Sequence, residues 1–290
     1  MEIPPEARKR IGEVVNQYIR ITDVIGCGSF AVVYLVEHID TRERFALKCL
    51  RKLGMTQAQL ETQRREANIM QILNSHDNIV AIYDIFETPE YLYLLLECCD
   101  MDLYEAITRQ GGFPEDVVKE VFLQLVDALG YCHSKGIYHR DLKPENVLIS
   151  RDFSIKLTDF GLSTFEPWST EIGTFALRCG SVRYMAPECL GTNGSRGYDP
   201  ASNDVWGLGV ILINLLFGKN PWHEASPTDP IFSAYVGNNP HILTQQFQLT
   251  PEFDHVLRRV FDTNPATRAR LGELQKMINH LDYFVEPFPV

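Results

Sequence analysis

A chain of 290 residues can bury a sizeable core as one large domain or two small ones. Its 45% apolar and 22% charged residues are ordinary for a soluble globular protein. A formal net charge of −11 argues against broad binding to nucleic acid or to an anionic membrane. That charge suits basic substrates, and simple solubility equally well.

The seven cysteines, at 27, 49, 98, 99, 132, 179 and 189, form no C-x-x-C pair. That argues against a zinc site and a disulfide framework and fits a reducing compartment. No apolar run approaches the roughly 18–20 residues of a membrane span. Met1-Glu2-Ile3-Pro4-Pro5 carries neither a signal-peptide core nor a glycine at position 2 for myristoylation. A cytosolic or nuclear protein is the default expectation. Internal repeats and low-complexity tracts are absent.

In chain order, the first hundred residues alternate turn signals with β-rich runs, among them Val32–Val36 and Arg44–Cys49. Gly26-Cys27-Gly28-Ser29-Phe30-Ala31 falls between two strand patterns. Glycines there let a backbone approach phosphate oxygens and present N–H donors without side-chain clash. Thr56–Leu73 is amphipathic: Leu60, Ala67, Met70 and Leu73 keep largely to helical spacing, while Arg64, Arg65 and Glu66 are placed on its polar side. Asn78–Val80 reads as the next strand and Tyr91–Cys98 as a buried one. From there the patterns are mostly helical, as over Pro114–Ser134 and Ala201–Leu216. The implied architecture is a small β-rich lobe followed by a larger helical one, joined near Glu97–Asp100.

The most specific signal is His139-Arg140-Asp141-Leu142-Lys143-Pro144-Glu145-Asn146, followed by Asp159-Phe160-Gly161 and Ala186-Pro187-Glu188. Order and spacing match the protein-kinase signature set. The chain therefore resembles a eukaryotic-type protein kinase over nearly its whole length. The resemblance implies an α+β, two-lobed kinase fold in one catalytic domain, with a small lobe over about 18–97, a hinge over about 97–101 and a large lobe over about 102–283.

It also implies roles. Ile25, Gly26, Gly28, Ser29 and Ala31 would form the loop over the phosphates, Ala31 standing where the family usually has a third glycine. Lys48 would hold the α- and β-phosphates, paired to a helix glutamate, with Glu66 the first candidate and Glu61 the second. Val33, Ala46 and Leu148 would sandwich adenine. Leu96 would be the gatekeeper, and Glu97 and Cys98 would offer backbone groups. Asp102 matches an acid that meets the ribose, though a helix N-cap explains it equally well.

On the catalytic side, Asp141 would be the base, Lys143 would neutralise γ-phosphate charge, and Asn146 and Asp159 would hold Mg²⁺. His139 and Phe160 would stack in support. Lys143, two positions after the base, points to serine/threonine rather than tyrosine transfer, and Ser181 matches the small hydroxyl residue beside that base. Glu188 and Arg268 match a buried ion pair, and Asp204–Gly209 the helix start that braces the catalytic loop.

Departures carry information as well. Arg140 precedes the base, and in such kinases this arginine often needs an activation-loop anion. The usual phosphothreonine position, two before Cys179, is Leu177. Constitutive competence, or use of Thr174 or Glu171, is the resulting expectation. Glu145 matches a position that contacts basic residues before the phosphosite, whereas Asn214 stands where arginine-directed relatives carry glutamate. At most a mild basic preference follows.

Tyr198–Asp204, Ile213–Trp222 and Ala225–Phe232 resemble fungal kinases related to the fission-yeast repressor of meiosis. The chain is thus read as an ATP- and Mg²⁺-dependent serine/threonine kinase acting on protein substrates, monomeric, independent of nucleic acid and membrane. A pseudokinase scaffold is the alternative. Cys27, Cys98 and Cys99 are candidate reactive thiols, with incidental burial as the plainer explanation. The chain ends soon after its last helical pattern, so a regulatory tail is expected to be absent or removed.

Overall fold

The β-branched and aromatic runs of the first hundred residues pair as a six-stranded antiparallel sheet in the computed structural model, which describes residues 4–28, 31–152, 154–170, 182–192, 194 and 196–286. The strands are β1 (Val14–Val15), β2 (Ile19–Cys27), β3 (Ala31–His38), β4 (Arg44–Arg51), β5 (Ile82–Glu87) and β6 (Tyr91–Glu97), in the order β1-β2-β3-β4-β6-β5. β6 shows why the sequence there is apolar without alternation. Leu92, Leu94 and Leu96 enter the main core, while Tyr93 and Leu95 enter a second cluster on the outer face. A strand buried on both faces has no polar side to display.

The small lobe begins earlier than residue 18. Helix α1 (Pro5–Arg8) and β1 cover the outer face, where Ala7 and Val15 join Ile21, Tyr34 and Leu47. Arg10 follows α1 and lies 4.6 Å from the ring centroid of Tyr91, with Tyr34 and Tyr93 at 5.6 and 5.7 Å. Its guanidinium also donates to Glu13 at 2.7 Å and to the Tyr93 hydroxyl at 3.0 Å.

Helix α2 (Gln57–Leu73) starts where its capping residues dictate. Gln59 N–H donates to Thr56 Oγ1 at 3.2 Å and Thr56 N–H to Gln59 Oε1 at 2.8 Å, a reciprocal capping box. Asn78–Val80, read as a strand in the sequence, makes only an isolated bridge from Ile79 to Leu157, and the strand starts at Ile82. Asn78 is held across the fold instead, by Gln124 Oε1 and Ile155 O, both at 3.0 Å.

The large lobe packs α3 (Leu103–Gln110) and α4 (Glu115–Ser134) with the helix Pro200–Phe217. A small sheet of β7 (Met101–Asp102), β8 (Val147–Ile149) and β9 (Ile155–Leu157) lies below the hinge. By length and composition Pro200–Phe217 is apolar enough to cross a membrane, which the sequence reading denied of every segment, yet 83% of it is buried in this lobe. Gly209 is required by close approach: a Cβ there would stand 2.5 Å from Val260 Cγ1.

Glu188 and Arg268 form a bidentate pair at 2.7 and 3.0 Å, with side chains 1% and 0% exposed. Arg268 also donates to Ser202 O and Asp262 O and lies 4.8 Å over Trp206. Lysine cannot reproduce this planar fork. Arg268→Met, which strands the Glu188 charge, should cost about 3–5 kcal/mol and lower Tm by on the order of 10 °C. Thermal denaturation beside an exposed control such as Arg42→Met checks this.

Candidate active site

The small lobe brings Lys48 and Glu66 together. Lys48 lies mid-strand in β4, and its Nζ donates to Glu66 Oε1 at 2.6 Å. Glu66 is 3% exposed, so it belongs to the buried face of α2 rather than the polar side assigned to it from sequence. Glu61, the other candidate, accepts instead from Gln57 on its own helix. Burial opposes the Lys48 charge, but Glu66 and Asp159 outweigh it and raise the pKa above 10.5. The ammonium stays charged throughout the physiological range.

A second ionic contact steadies α2 from outside. Arg64 donates twice to Glu87, at 2.9 and 3.0 Å, and Lys52 donates to the same carboxylate at 3.0 Å. These hydrogen bonds lower the Glu87 pKa from 4.5 to about 2.

The catalytic loop hangs from one buried carboxylate. Asp204 accepts from His139 N–H at 2.9 Å and from Arg140 N–H at 2.7 Å, and pairs with His133 Nε2 at 2.9 Å. Arg140 adopts φ +69° and Asp159 φ +64°, left-handed conformations that side-chain-bearing residues seldom take. His139 bonds Thr158 O through Nε2 at 3.0 Å and packs against Phe160 with centroids 5.0 Å apart, the rings tilted by 57° rather than stacked as the resemblance implied.

Asp141 is 4% exposed. Its Oδ2 accepts from Lys143 at 2.6 Å and from Asn146 Nδ2 at 3.1 Å. Its Oδ1 is buried with no hydrogen-bond partner among the described residues. One oxygen is therefore held by two donors, while the other has none among the described residues. For Lys143, burial again lowers the pKa, but Asp141, Asp159 and Glu145 together raise it. Asp159 thus contributes to both lysine shifts, and its carboxylate lies beside Glu66: a Cβ on Gly161 would stand 3.3 Å from Asp159 Oδ1 and 3.5 Å from Glu66 Oε2.

Asn146 Nδ2 also donates to Asp141 O at 2.8 Å, which commits the amide nitrogen and turns Oδ1 into the group left for a ligand. Among the described residues no cluster of three His, Cys, Asp or Glu side chains could hold a metal alone. Asn146 Oδ1 and the Asp159 carboxylate are hard oxygen donors, fitting a divalent cation that completes its shell with water and phosphate.

Above the catalytic loop, Ala46 pairs with Leu96 across β4 and β6, and Val33 pairs with Lys48 across β3 and β4. Ala31, Val33 and Leu148 pack on the core cluster that contains Ala46 and Leu96, so the proposed adenine sandwich is one apolar surface. Ile25 is 49% exposed at its rim. Among the described residues, a Cβ on Gly26 would meet Val33 at 3.5 Å and one on Gly28 would meet Ala31 O at 3.7 Å, both ordinary contacts. Ser29 lies outside the described residues.

At the hinge, Glu97 N–H donates to Ala81 O at 2.9 Å. Its carboxylate pairs with Lys156 of β9 at 2.8 Å, an interlobe strut that nothing in the local sequence announced. Cys98 is half-buried beside it. Burial raises both hinge thiols, Cys99 to about 12, so neither is a reactive thiolate at neutral pH. Asp102 Oδ1 accepts from Glu105 N–H at 2.7 Å, which realises the N-cap reading.

Glu145 is exposed at the front of the catalytic loop. Asn214 is buried and donates to Lys219 O at 2.7 Å and to Asn220, so it caps its own turn and does not face a substrate. Thr174 and Ser181, with Glu171, Leu177 and Cys179, lie outside the described residues.

A two-lobed fold with a lysine–glutamate pair, a loop carboxylate with one free oxygen and two oxygen donors for a cation defines a nucleotide-dependent phosphotransferase. Residues 19–283 match the family model described as "Protein kinase domain". The fission-yeast (Schizosaccharomyces pombe) "Negative regulator of sexual conjugation and meiosis" is 37% identical over 294 residues, covering 93% of this chain and 61% of that protein. "CBL-interacting serine/threonine-protein kinase 9" of Arabidopsis thaliana is 34% identical, covering 93% of this chain and 58% of the relative. "CBL-interacting protein kinase 10" of Oryza sativa is also 34% identical, with 91% and 57% covered. The chain belongs to the protein kinase family and spans about 60% of the length of these curated relatives.

The pH dependence of the outer contact on α2 follows from Glu87. Its folded pKa is depressed, so its contribution is present above about pH 4.5 and is lost as pH falls toward 2. Glu87→Gln should lower Tm by about 1–3 °C at pH 7. That gap should narrow steadily below pH 4.5, as differential scanning fluorimetry across pH 7 to 3 would register.

Proposed function

We propose that this chain is an active Mg-ATP-dependent kinase that transfers the γ-phosphate of ATP to serine or threonine hydroxyls of protein substrates. The observation that carries the reading is Asp141, whose Oδ2 is held by Lys143 and Asn146 while Oδ1 stays buried and unclaimed among the described residues. In that arrangement Oδ1 orients the attacking hydroxyl and takes its proton as the phosphorus–oxygen bond forms. Lys143, positively charged and tied to Asp141, offsets charge on the transferred group. Lys48, braced by Glu66, fixes the α- and β-phosphates, and the surface of Val33, Ala46, Leu96 and Leu148 takes the base. A bound Mg²⁺ would supply neutralisation of the charge that builds on the phosphate oxygens. Asn146 and Asp159 are the residues that would hold it.

Exposed Glu145 favours substrates with a basic residue before the phosphosite, and buried Asn214 adds no second acid, so the preference is mild. The fission-yeast relative is named for negative regulation of conjugation and meiosis. For this chain we propose a comparable place in fungal nutrient-linked growth or differentiation control, as a monomer in the cytosol or nucleus.

The test is transfer from Mg-ATP to a degenerate Ser/Thr peptide library, with Asp141→Asn as the comparison. The parent should transfer phosphate, and the variant should lose at least about 10²-fold in kcat while keeping its affinity for ATP. A parent that binds nucleotide without transferring phosphate would make the chain a scaffold.

A further inference from the structure

Between the catalytic loop and the substrate-docking side, residues 162–170 are pinned twice to the large lobe. Tyr138 N–H donates to Thr164 O at 2.9 Å and Thr164 N–H to Tyr138 O at 3.0 Å. Farther along, Ser169 N–H donates to Tyr198 O at 2.9 Å and Tyr198 N–H returns to Ser169 O at 2.8 Å. Ser169 and Tyr198 are 6% and 1% exposed, so water does not compete for this second pair. The Tyr198 ring rests with Met185 and Cys189 in a small apolar cluster of its own.

Trp168 closes over the second bridge. A Cβ at Gly197 would stand 2.5 Å from Trp168 Nε1, 2.7 Å from its Cε2 and 2.8 Å from Ser169 O. Gly197 is not among the left-handed glycines, so close approach alone makes glycine necessary there. Trp168 nevertheless remains 58% exposed. A large aromatic half in water contributes little to a core; what it does here is cover one glycine and shield one backbone bridge.

The anchor is a rigid one. Tyr198 precedes Asp199, whose side chain accepts from Ala201 N–H at 2.9 Å and caps the helix that carries Asp204. The entry to the activation segment and the catalytic loop therefore hang from the start of the same helix.

We infer that Trp168, Ser169, Gly197 and Tyr198 form a clasp that sets the activation segment in register with the large lobe, and that it supplies the positioning a loop phosphate gives kinases with threonine at the place of Leu177. The inference rests on the kinase reading above. Trp168 and Gly197 are positioning residues: neither belongs to the set proposed to touch nucleotide, metal or the reacting hydroxyl. Their loss should act on peptide transfer and spare the nucleotide side, where Lys48, Glu66 and Asn146 are held by separate contacts.

The experiment measures two rates on purified full chain, phosphate transfer to the degenerate Ser/Thr library and Mg-ATP hydrolysis without peptide, for parent, Trp168→Ala, Trp168→Phe and Gly197→Ala. Parent enzyme treated with a protein phosphatase, which is then removed, is assayed alongside. Trp168→Ala and Gly197→Ala should lose about ten-fold or more in peptide transfer. Hydrolysis and ATP affinity should stay within about two-fold, and the flat ring of Trp168→Phe should recover most of the transfer. Phosphatase treatment should leave the parent's transfer unchanged.

Transfer by Trp168→Ala at the parental rate overturns the clasp. Parallel loss of transfer and hydrolysis reduces it to general stability and also overturns it, as does inactivation of the parent by phosphatase. A parent that neither transfers nor hydrolyses refutes the underlying kinase reading, a result distinct from all of these.

Discussion

The rest of this molecule depends on the Asp204 carboxylate. It is 1% exposed at the beginning of the most buried helix, and a charge in that place is tolerable only if its oxygens are fully used. Two backbone N–H groups and a histidine use them. The same bonds hold Arg140 in a left-handed conformation worth about 1–3 kcal/mol of strain. Directly after that reversal Asp141 is buried, with Lys143 and Asn146 folded back onto its Oδ2. A preorganised site of this kind obtains its geometry from helix packing, so the catalytic groups need no reorganisation of their own.

The two lobes meet through charges as well as through the hinge. Lys48 on the small lobe feels Asp159 on the large one, and Glu97 at the hinge reaches Lys156 on β9. Asn78, on the connection between α2 and β5, is bonded to Gln124 and Ile155 below. The ion pair at the hinge and the two bonds from Asn78 each tie the small lobe to the large one.

Much of this was legible in the chain. Periodicity placed α2 over about Thr56–Leu73, and Pro114–Ser134 and Ala201–Leu216 emerged within a residue of the observed helices. The site residues around Asp141 were legible because their function needs them close in sequence. What escaped was long-range pairing. Arg10 meets Tyr93 across 83 positions, and Glu97 meets Lys156, with no local pattern to mark either. Glu66 was assigned to the polar face although Lys48 was already named as its partner, because a carboxylate counts as polar in a periodicity pattern even where an ion pair buries it. Asp102 was undecidable from composition, since an N-cap and a ribose contact ask for the same side chain.

Arg10 has a consequence for how the small lobe tolerates handling. Its guanidinium sits among Tyr34, Tyr91 and Tyr93, on the sheet face where Ala7 of α1 and Val15 of β1 pack. The family match begins at residue 19, so a fragment trimmed to that boundary would retain the signature motifs and lose this cover. Three tyrosines and the apolar residues around Val36 and Leu47 would then face water as one contiguous sticky patch. Such a fragment would be prone to self-association through its back, far from the cleft, and its poor behaviour would be mistaken for a defect in the catalytic machinery.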